Sequence, residues 1–322
     1  MGGRDGGGVG VTRFLIRRLL FLVPVWLGIS VIAFGLANLT PGDPARIMMQ
    51  RRLERQPTAE EVAQARDELN LDRPMAVRYV GWVGDALRGD FGTSYRTGEA
   101  VRSALLSRLP FTLQIALGGI VISMVVAIPI GVAAAVWRNS PVDHLSRVLS
   151  LLTASMPSYW VAYLLILLFA VKLQVLPVAG RGTWQHLVMP SLTLGLASTA
   201  SLMRLTRSEM LETLGQDFIR TSRAKGLSER LVIARHALRN AMIPVVTLIG
   251  LRFAGLLGGA VIVETIFSWP GVGKYVLDSI YDRDYPVIQG FVLFMGTAFV
   301  LINLVVDVSY GLLDPRIRMS DR

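Results

Sequence analysis

The chain of 322 residues is 52% apolar and 17% charged, with a mean hydropathy of +0.50, values of a multi-span membrane protein rather than an average soluble domain. Its formal charge of +10 would suit nucleic acid, but the cations sit at the ends of apolar runs and between them, which excludes that partner. Cysteine is absent, which excludes disulfides, thiol chemistry and thiolate metal sites.

Residues 1–12 (MGGRDGGGVGVT) are Gly-rich and unpatterned, and are expected to be a disordered cytoplasmic N-terminus. Arg13, Arg17 and Arg18 then precede an uncharged run from Leu19 to Ala37. About 20 apolar residues cross a bilayer core, so residues 13–38 read as a retained first span rather than a signal peptide. The connection 39–108 carries 11 Lys/Arg and 10 acids. Long loops are translocated largely regardless of charge, so it is expected to form an extracytoplasmic helical cap. Thr58-Ala59-Glu60-Glu61 fits a capping box for a helix to about Asn70. A second helix is expected from Pro74 to Gly89, with Met75, Tyr79, Trp82, Val83, Ala86 and Leu87 on its apolar side. Such a cap either packs as a lid on the outer face or lines an external mouth where a delivery protein docks.

Five further apolar runs follow: Leu109–Trp137, Val148–Val171, Leu187–Met203, Ala241–Val263 and Val287–Val306. The expected fold is therefore all-α, a polytopic membrane protein with six transmembrane helices, its five-helix core over 109–313 and a cytoplasmic tail over 314–322. Arg138, Arg147, Arg316, Arg318 and Arg322 flank inner ends, while Lys172, Arg181, Lys274 and Arg283 are spread over outer ones. The positive-inside rule then puts both termini in the cytoplasm of a multi-pass protein of the cell membrane.

Between the fourth and fifth spans lies a long basic block, 208–240. It reads as two short helices. Asp217 is placed to cap one running through Lys225, Gly226 breaks it, and Ser228 caps the next, whose stripe is Leu227, Leu231, Ala234 and Leu238. Composition and spacing show only a basic helical hairpin, read either as an ordinary loop that fixes topology or as a docking surface.

Reactive constellations are missing. There is no G-x-x-x-x-G-K-[ST] phosphate loop, no H-E-x-x-H and no G-x-S-x-G, and His144, His186 and His236 lie far apart. The chain is expected to be no enzyme, with no catalytic residue, no cofactor and no metal. Arg252 interrupts the fifth span, where a charge costs about 2.5–3.5 kcal/mol on insertion scales. It is expected either to pair with Glu264 or Asp307, the preferred reading, or to line a substrate path. Gly255 and Gly259 form a G-x-x-x-G, read as packing within this chain ahead of packing on a second subunit.

Several stretches carry a resemblance. Arg220-Thr221-Ser222-Arg223-Ala224-Lys225-Gly226-Leu227 and His236-Ala237-Leu238-Arg239-Asn240 resemble the coupling loop of binding-protein-dependent ABC importer permeases, within the dipeptide/oligopeptide/nickel family. Thr40-Pro41-Gly42-Asp43-Pro44, Gly89-Asp90-Phe91-Gly92-Thr93-Ser94 and Ser155-Met156-Pro157-Ser158-Tyr159-Trp160 are similar to the same family in order and spacing. So are the stretches Gly258–Gly273, Arg283–Gln289 and Leu313–Arg318. The broader loop pattern begins Glu-Ala-Ala, where this chain has Arg220, Thr221 and Ser222, and the closing Pro is Arg239 here. The resemblance implies a type I ABC importer-like permease fold and an assembly with a second, homologous permease and two ATP-binding subunits. It also implies an extracytoplasmic substrate-binding protein and a di- or oligopeptide cargo, with nickel or a nickel chelate as the alternative. Import would follow alternating access, with partner subunits hydrolysing ATP. A stand-alone channel or scaffold would have no use for the basic hairpin, and a membrane enzyme lacks its reactive groups.

Overall fold

The computed structural model describes residues 20, 23–35, 38 and 42–313, with side chains as far as 305. The N-terminal 1–12, much of the expected first span, the tail 314–322 and the Asp307 side chain lie outside the described residues. Among the described residues there is no β-strand; one isolated antiparallel bridge joins Thr93 and Ala100. Four helices are long and apolar enough to cross a membrane: Val101–Val136, Gln185–Leu214, Glu229–Ile266 and Tyr285–Val305. A bent pair, Pro141–Ser155 with Ser158–Lys172, makes a fifth if counted as one span. The chain divides into two units, one gathering the residues up to Pro110 with Lys274–Leu304, the other Phe111–Gly273 with the segment from Val305.

In the first unit, α1 (Val23–Gly35) lies against the helices that follow it. The Ser30 and Tyr79 hydroxyls are 2.7 Å apart, and the Phe34 ring meets Tyr79 edge-on at 5.4 Å and Trp82 at 5.7 Å. Helix α2 (Pro44–Leu53) was not expected from the pattern. Asp43 caps it, accepting from the Ala45 amide at 3.0 Å, while its other oxygen takes Arg66 at 2.8 Å. The capping box at Thr58 is present and opens α3 (Ala59–Glu68). On α4 (Met75–Leu87), Tyr79, Trp82, Val83 and Ala86 are covered, while Met75 and Leu87 at its ends are exposed. Gly89, at φ +81°, lies just beyond the end of this helix, as expected.

Two of the motif stretches meet at one buried carboxylate. Asp284, 2% exposed, accepts from the Ser94 hydroxyl at 2.5 Å and from the Tyr95 and Arg96 amides at 3.0 and 3.3 Å. It stands just before α13 (Tyr285–Leu313) and follows α12 (Val272–Tyr281), so the 89–94 loop is clamped to the turn between them. Buried charge is tolerated when every oxygen is satisfied, as here.

In the second unit, α5 (Val101–Val136) and α8 (Gln185–Leu214) approach through glycine. A Cβ on Gly195 would meet the Gly119 carbonyl at 2.6 Å, and one on Gly131 would meet Thr206 at 2.8 Å. Close backbone approach through small residues is the usual way membrane helices pack. A Cβ on Gly255 or Gly259, where the sequence placed such packing, would meet nothing within 4 Å among the described residues, so the expected packing within this chain is not seen there.

The expected third span, Val148–Val171, is not one straight helix. It divides into α6 (Pro141–Ser155) and α7 (Ser158–Leu165), the latter continued by π turns over Ile166–Lys172, with a 104° bend. The cause is Pro157, which forces the preceding residue out of helical geometry: Met156 has ψ 123°. At the start of α6, Asp143 is fully buried and accepts from Arg207 on α8 at 2.6 and 2.8 Å. Arg147 adds bonds of 2.7 and 3.2 Å, and the Asn139 amide one of 3.0 Å.

A second buried carboxylate organises the far end of α11 (Leu238–Ile266). Glu264 is 0% exposed and accepts from the Thr112 hydroxyl at 2.6 Å, while Thr112 accepts from the Val272 amide at 2.9 Å. The Trp269 amide donates to the Glu264 carbonyl at 2.7 Å, and its indole N–H to the Phe111 carbonyl at 2.9 Å. The loop folds over the carboxylate so closely that a Cβ on Gly271 would overlap it outright.

Three substitutions test these contacts, all read by thermal unfolding of the detergent-solubilised chain. Gly271→Ala should lose about 1–3 kcal/mol, the cost of overpacking. Gly259→Ala, in open space on a helix, should instead gain up to about 1 kcal/mol. Arg207→Leu should cost about 3–5 kcal/mol, as removing one partner of a buried pair does, since only Arg147 and the Asn139 amide then hold Asp143. An unchanged melting temperature for Arg207→Leu would refute the structural weight given to this pair.

Candidate functional site

The basic block folds as a helical hairpin at the end of α8. Helix α9 (Asp217–Ala224) is capped by Gln216, with Asp217 as its first residue rather than its cap. There Asp217 still favours the positive end of the helix. The helix ends in a Schellman arrangement: the Gly226 amide donates to the Arg223 carbonyl at 2.9 Å and the Leu227 amide to the Ser222 carbonyl at 3.4 Å. Gly226 takes φ +77°, a conformation that glycine alone adopts at little cost, and nothing lies within 4 Å of the Cβ it lacks.

The returning arm begins with a single turn, α10 (Glu229–Leu231), then π turns over Val232–Ala237 that run into α11. Ser228 precedes it without a side-chain capping bond. The expected stripe is corrected here. The buried face is Val232, Ala237 and Ala241, with Leu231 and Ala234 exposed. A π turn holds more residues than an α turn, so a 3.6-residue count drifts off the inward face.

Hydrophobic burial fixes the hairpin to the helix ends. Ile219 of α9, Met210 of α8, Val232, Ala237, Ala241 and Ala135 of α5 form one core cluster, joined by Leu211, Leu214, Leu227 and Leu238. Full burial of Ile219 contributes about 1.5–3 kcal/mol. Arg223 and Glu229 then close the two arms with bonds of 2.6 and 3.1 Å. That hydrogen bond to Glu229 holds the Arg223 guanidinium pKa further above its ordinary value.

The remaining polar groups face out. Arg220, Thr221, Arg223, Ala224, Lys225 and Gly226 are exposed; Ser222 and Leu227 are half-buried. Thr221 and Ser222 spend their hydroxyls on the Asp217 and Phe218 carbonyls at 3.0 and 2.8 Å. Arg220, 3.5 Å from Asp217, and Lys225 are thus presented as exposed cations on an apolar-anchored knuckle, the geometry of a docking projection.

Two of the three residues read as a path or an ion pair, Arg252 and Glu264, are not brought together. Arg252 is exposed on α11 and has no ion pair among the described residues. Glu264 lies twelve residues further along the same helix, about 18 Å by helical rise, and is buried against Thr112. The Arg252–Glu264 pairing is therefore not formed, and the Asp307 side chain lies outside the described residues. Exposed with Arg252 on α11 are Gly255, Gly258 and Gly259, each with open space where a Cβ would be. Sequence reasoning missed Asp143 and its pairing with Arg207, one turn before Met210 of the hairpin core; an acid three residues into a Ser-Pro helix start was the available signal.

The comparisons agree with this geometry. The family described as "Binding-protein-dependent transport system inner membrane component" matches residues 127–319, and its N-terminal companion matches 11–116. Glutathione transport system permease protein GsiC of Salmonella typhimurium (strain LT2) is 43% identical over 308 residues, covering 96% of this chain and 99% of that protein. GsiC of Escherichia coli (strain K12) is 42% identical over the same shares. A solved structure of the MetNI methionine ABC transporter in inward-facing conformations aligns with a TM-score of 0.55. It does so at 17% identity, over 65% of this chain and 96% of its own, a likeness of fold alone. A buried helical core, a rigid basic knuckle and these matches lead to one assignment: the chain belongs to the binding-protein-dependent transport system inner membrane components, as a multi-pass permease subunit of an ABC importer in the cytoplasmic membrane.

Proposed function

We propose that this permease imports a short anionic peptide of the glutathione kind. The expectation of di- or oligopeptides narrows on the relatives, which are glutathione permeases at 43% and 42% identity across nearly the whole chain. The observation on this chain that carries the reading is Arg252. A charge in the middle of an apolar helix must face water or a partner, and Arg252 lies exposed, beside a glycine face that none of the described residues covers. It is placed to meet carboxylates in a path completed by a second permease. Six spans with both termini in the cytoplasm, the cap over 39–108 outside and the tail 314–322 inside form the matching topology.

In this reading the 208–240 hairpin is the coupling loop, with Arg220 to Leu227 seated on one of two ATP-binding subunits while a substrate-binding protein delivers cargo outside. The protein itself carries no phosphate loop, so ATP is hydrolysed by those partners. The rigidity of the knuckle supports the role, because a lever must move as a body to transmit displacement.

Uptake in cells lacking only this chain tests the cargo, with labelled glutathione, a labelled dipeptide and oligopeptide mixture, and labelled nickel in parallel. Glutathione uptake should be lost and restored by the intact gene. Restoration by Arg252→Gln at the wild-type rate would remove the path role, and loss of nickel uptake alone would overturn the peptide reading.

Coupling is tested by Gly226→Pro, which cannot adopt φ +77° and loses the amide bond to Arg223. It should abolish uptake. The double variant Arg220→Glu, Lys225→Glu touches only exposed cations and should reduce co-purification of the ATP-binding subunits at least tenfold. Undiminished co-purification would sink the docking role.

A further inference from the structure

The first unit contains a cavity of about 400 Å³ that transport through the α11 face does not use. Its size falls in the range of about 300–1,000 Å³ typical of small-molecule sites. Phe34 of α1, Trp82 of α4, and Tyr95 contribute aromatic walls, with Tyr285 at the start of α13. Arg78 and Asp85, both on α4, also line it.

Three features of this lining point to a ligand. Arg78 is half-buried and has no ion pair among the described residues, its guanidinium standing 5.9 Å from the Phe34 ring centre. Its charge reaches the cavity wall, since Arg78 opposes the upward push that burial and Asp284 exert on the Tyr95 phenol. Tyr285 is 5% exposed, and its hydroxyl is buried without a hydrogen-bond partner. Aromatic walls with an unanswered cation and an unanswered hydroxyl form a site whose polar demand this chain leaves unmet.

The spacing sets the ligand's length. Arg78 and Asp85 lie seven residues apart on one helix, so they share a face and are separated by ~10.5 Å of helical rise. A tripeptide spans at most about 10–11 Å when extended, and a dipeptide about 7 Å. Asp85 is mostly exposed, with only Arg88 at 3.6 Å, and is free to accept an ammonium group.

We propose that this cavity is an accessory peptide site, binding a tripeptide-sized zwitterion with its carboxylate on Arg78 and its ammonium group at Asp85. It rests on the short-peptide reading only for the class of ligand, and binding here is measured without transport.

The test uses the full chain in lipid nanodiscs, without binding protein or nucleotide, titrated calorimetrically with trialanine, trialanine amide and N-acetyl-trialanine. Trialanine should bind saturably. The amide and the acetylated peptide should each bind at least tenfold more weakly, because each lacks one of the two charges. Arg78→Gln should weaken trialanine at least tenfold, while Arg138→Gln, at an exposed arginine with no part in the cavity, should leave it unchanged. If Arg78→Gln fails to fold, the acid-against-amide comparison on the unaltered chain decides alone. Absence of saturable binding, or equal affinity for acid and amide, overturns the site. So does undiminished binding in a folded Arg78→Gln chain. Failed glutathione uptake with intact trialanine binding would overturn the cargo reading and leave the site standing.

Discussion

The carboxylate of Asp143 is the point on which the inner end of the second unit depends. It has no exposed surface, and it is held by two guanidinium groups and a backbone amide. In a low-dielectric interior such a charge is stable only while all these donors stay in place. It thereby ties the start of α6 to α8 one turn before Met210, where the hairpin's apolar cluster begins. The cluster is small, and alone it would hold α9 through little more than Ile219 and its neighbours. The ionic tie below it and the Arg223–Glu229 pair beyond it make the knuckle one piece with the helices behind it.

The elements most legible in the sequence are those governed by local rules. Apolar runs, broken only at Arg252 in α11, marked α5, α8, α11 and α13, because backbone groups in lipid must bond within their own helix. The Thr58 capping box and the stop at Gly226 are likewise short-range, and both are present. Reading failed where a local rule met a longer-range constraint. Val148–Val171 reads as one span because the run carries no charge, yet the helix breaks at Met156-Pro157 and bends by 104° there. Helical periodicity chose Leu231 and Ala234 because it could not foresee π turns, which change the residues per turn. Asp143, Glu264 and Asp284 were illegible as a set. Each buried acid takes a donor 64 to 190 residues away, which no short window along the chain contains.

The motif stretches acquire a physical meaning from those acids. Gly271 is required because the Glu264 carboxylate occupies the space of its missing side chain. Ser94 ends the 89–94 stretch because its hydroxyl is one of three donors on Asp284. In these contacts the motif stretches build the scaffold.

What the scaffold leaves undone identifies where partners belong. Within this chain, glycines that carry helix packing are filled: Gly119, Gly131 and Gly195 each have a backbone or side chain against them. Gly255, Gly258 and Gly259 have none, and they share α11 with an exposed arginine. A lipid-facing helix gains nothing from such a surface, since glycine loses helical stability and a charge costs more still. The face is consistent only with something that covers the glycines closely and wets or neutralises the arginine. In the proposed assembly a second permease supplies the cover, and the water and cargo between the two subunits supply the rest. The same logic separates the hairpin from an ordinary topological loop. Positive-inside charge requires only that cations be present, whereas Arg220 and Lys225 stand on a backbone fixed by a Schellman turn, an ion pair and a shared apolar core. Ordering a surface loop that tightly costs conformational entropy, which nothing in topology alone would offset and which a docking partner would.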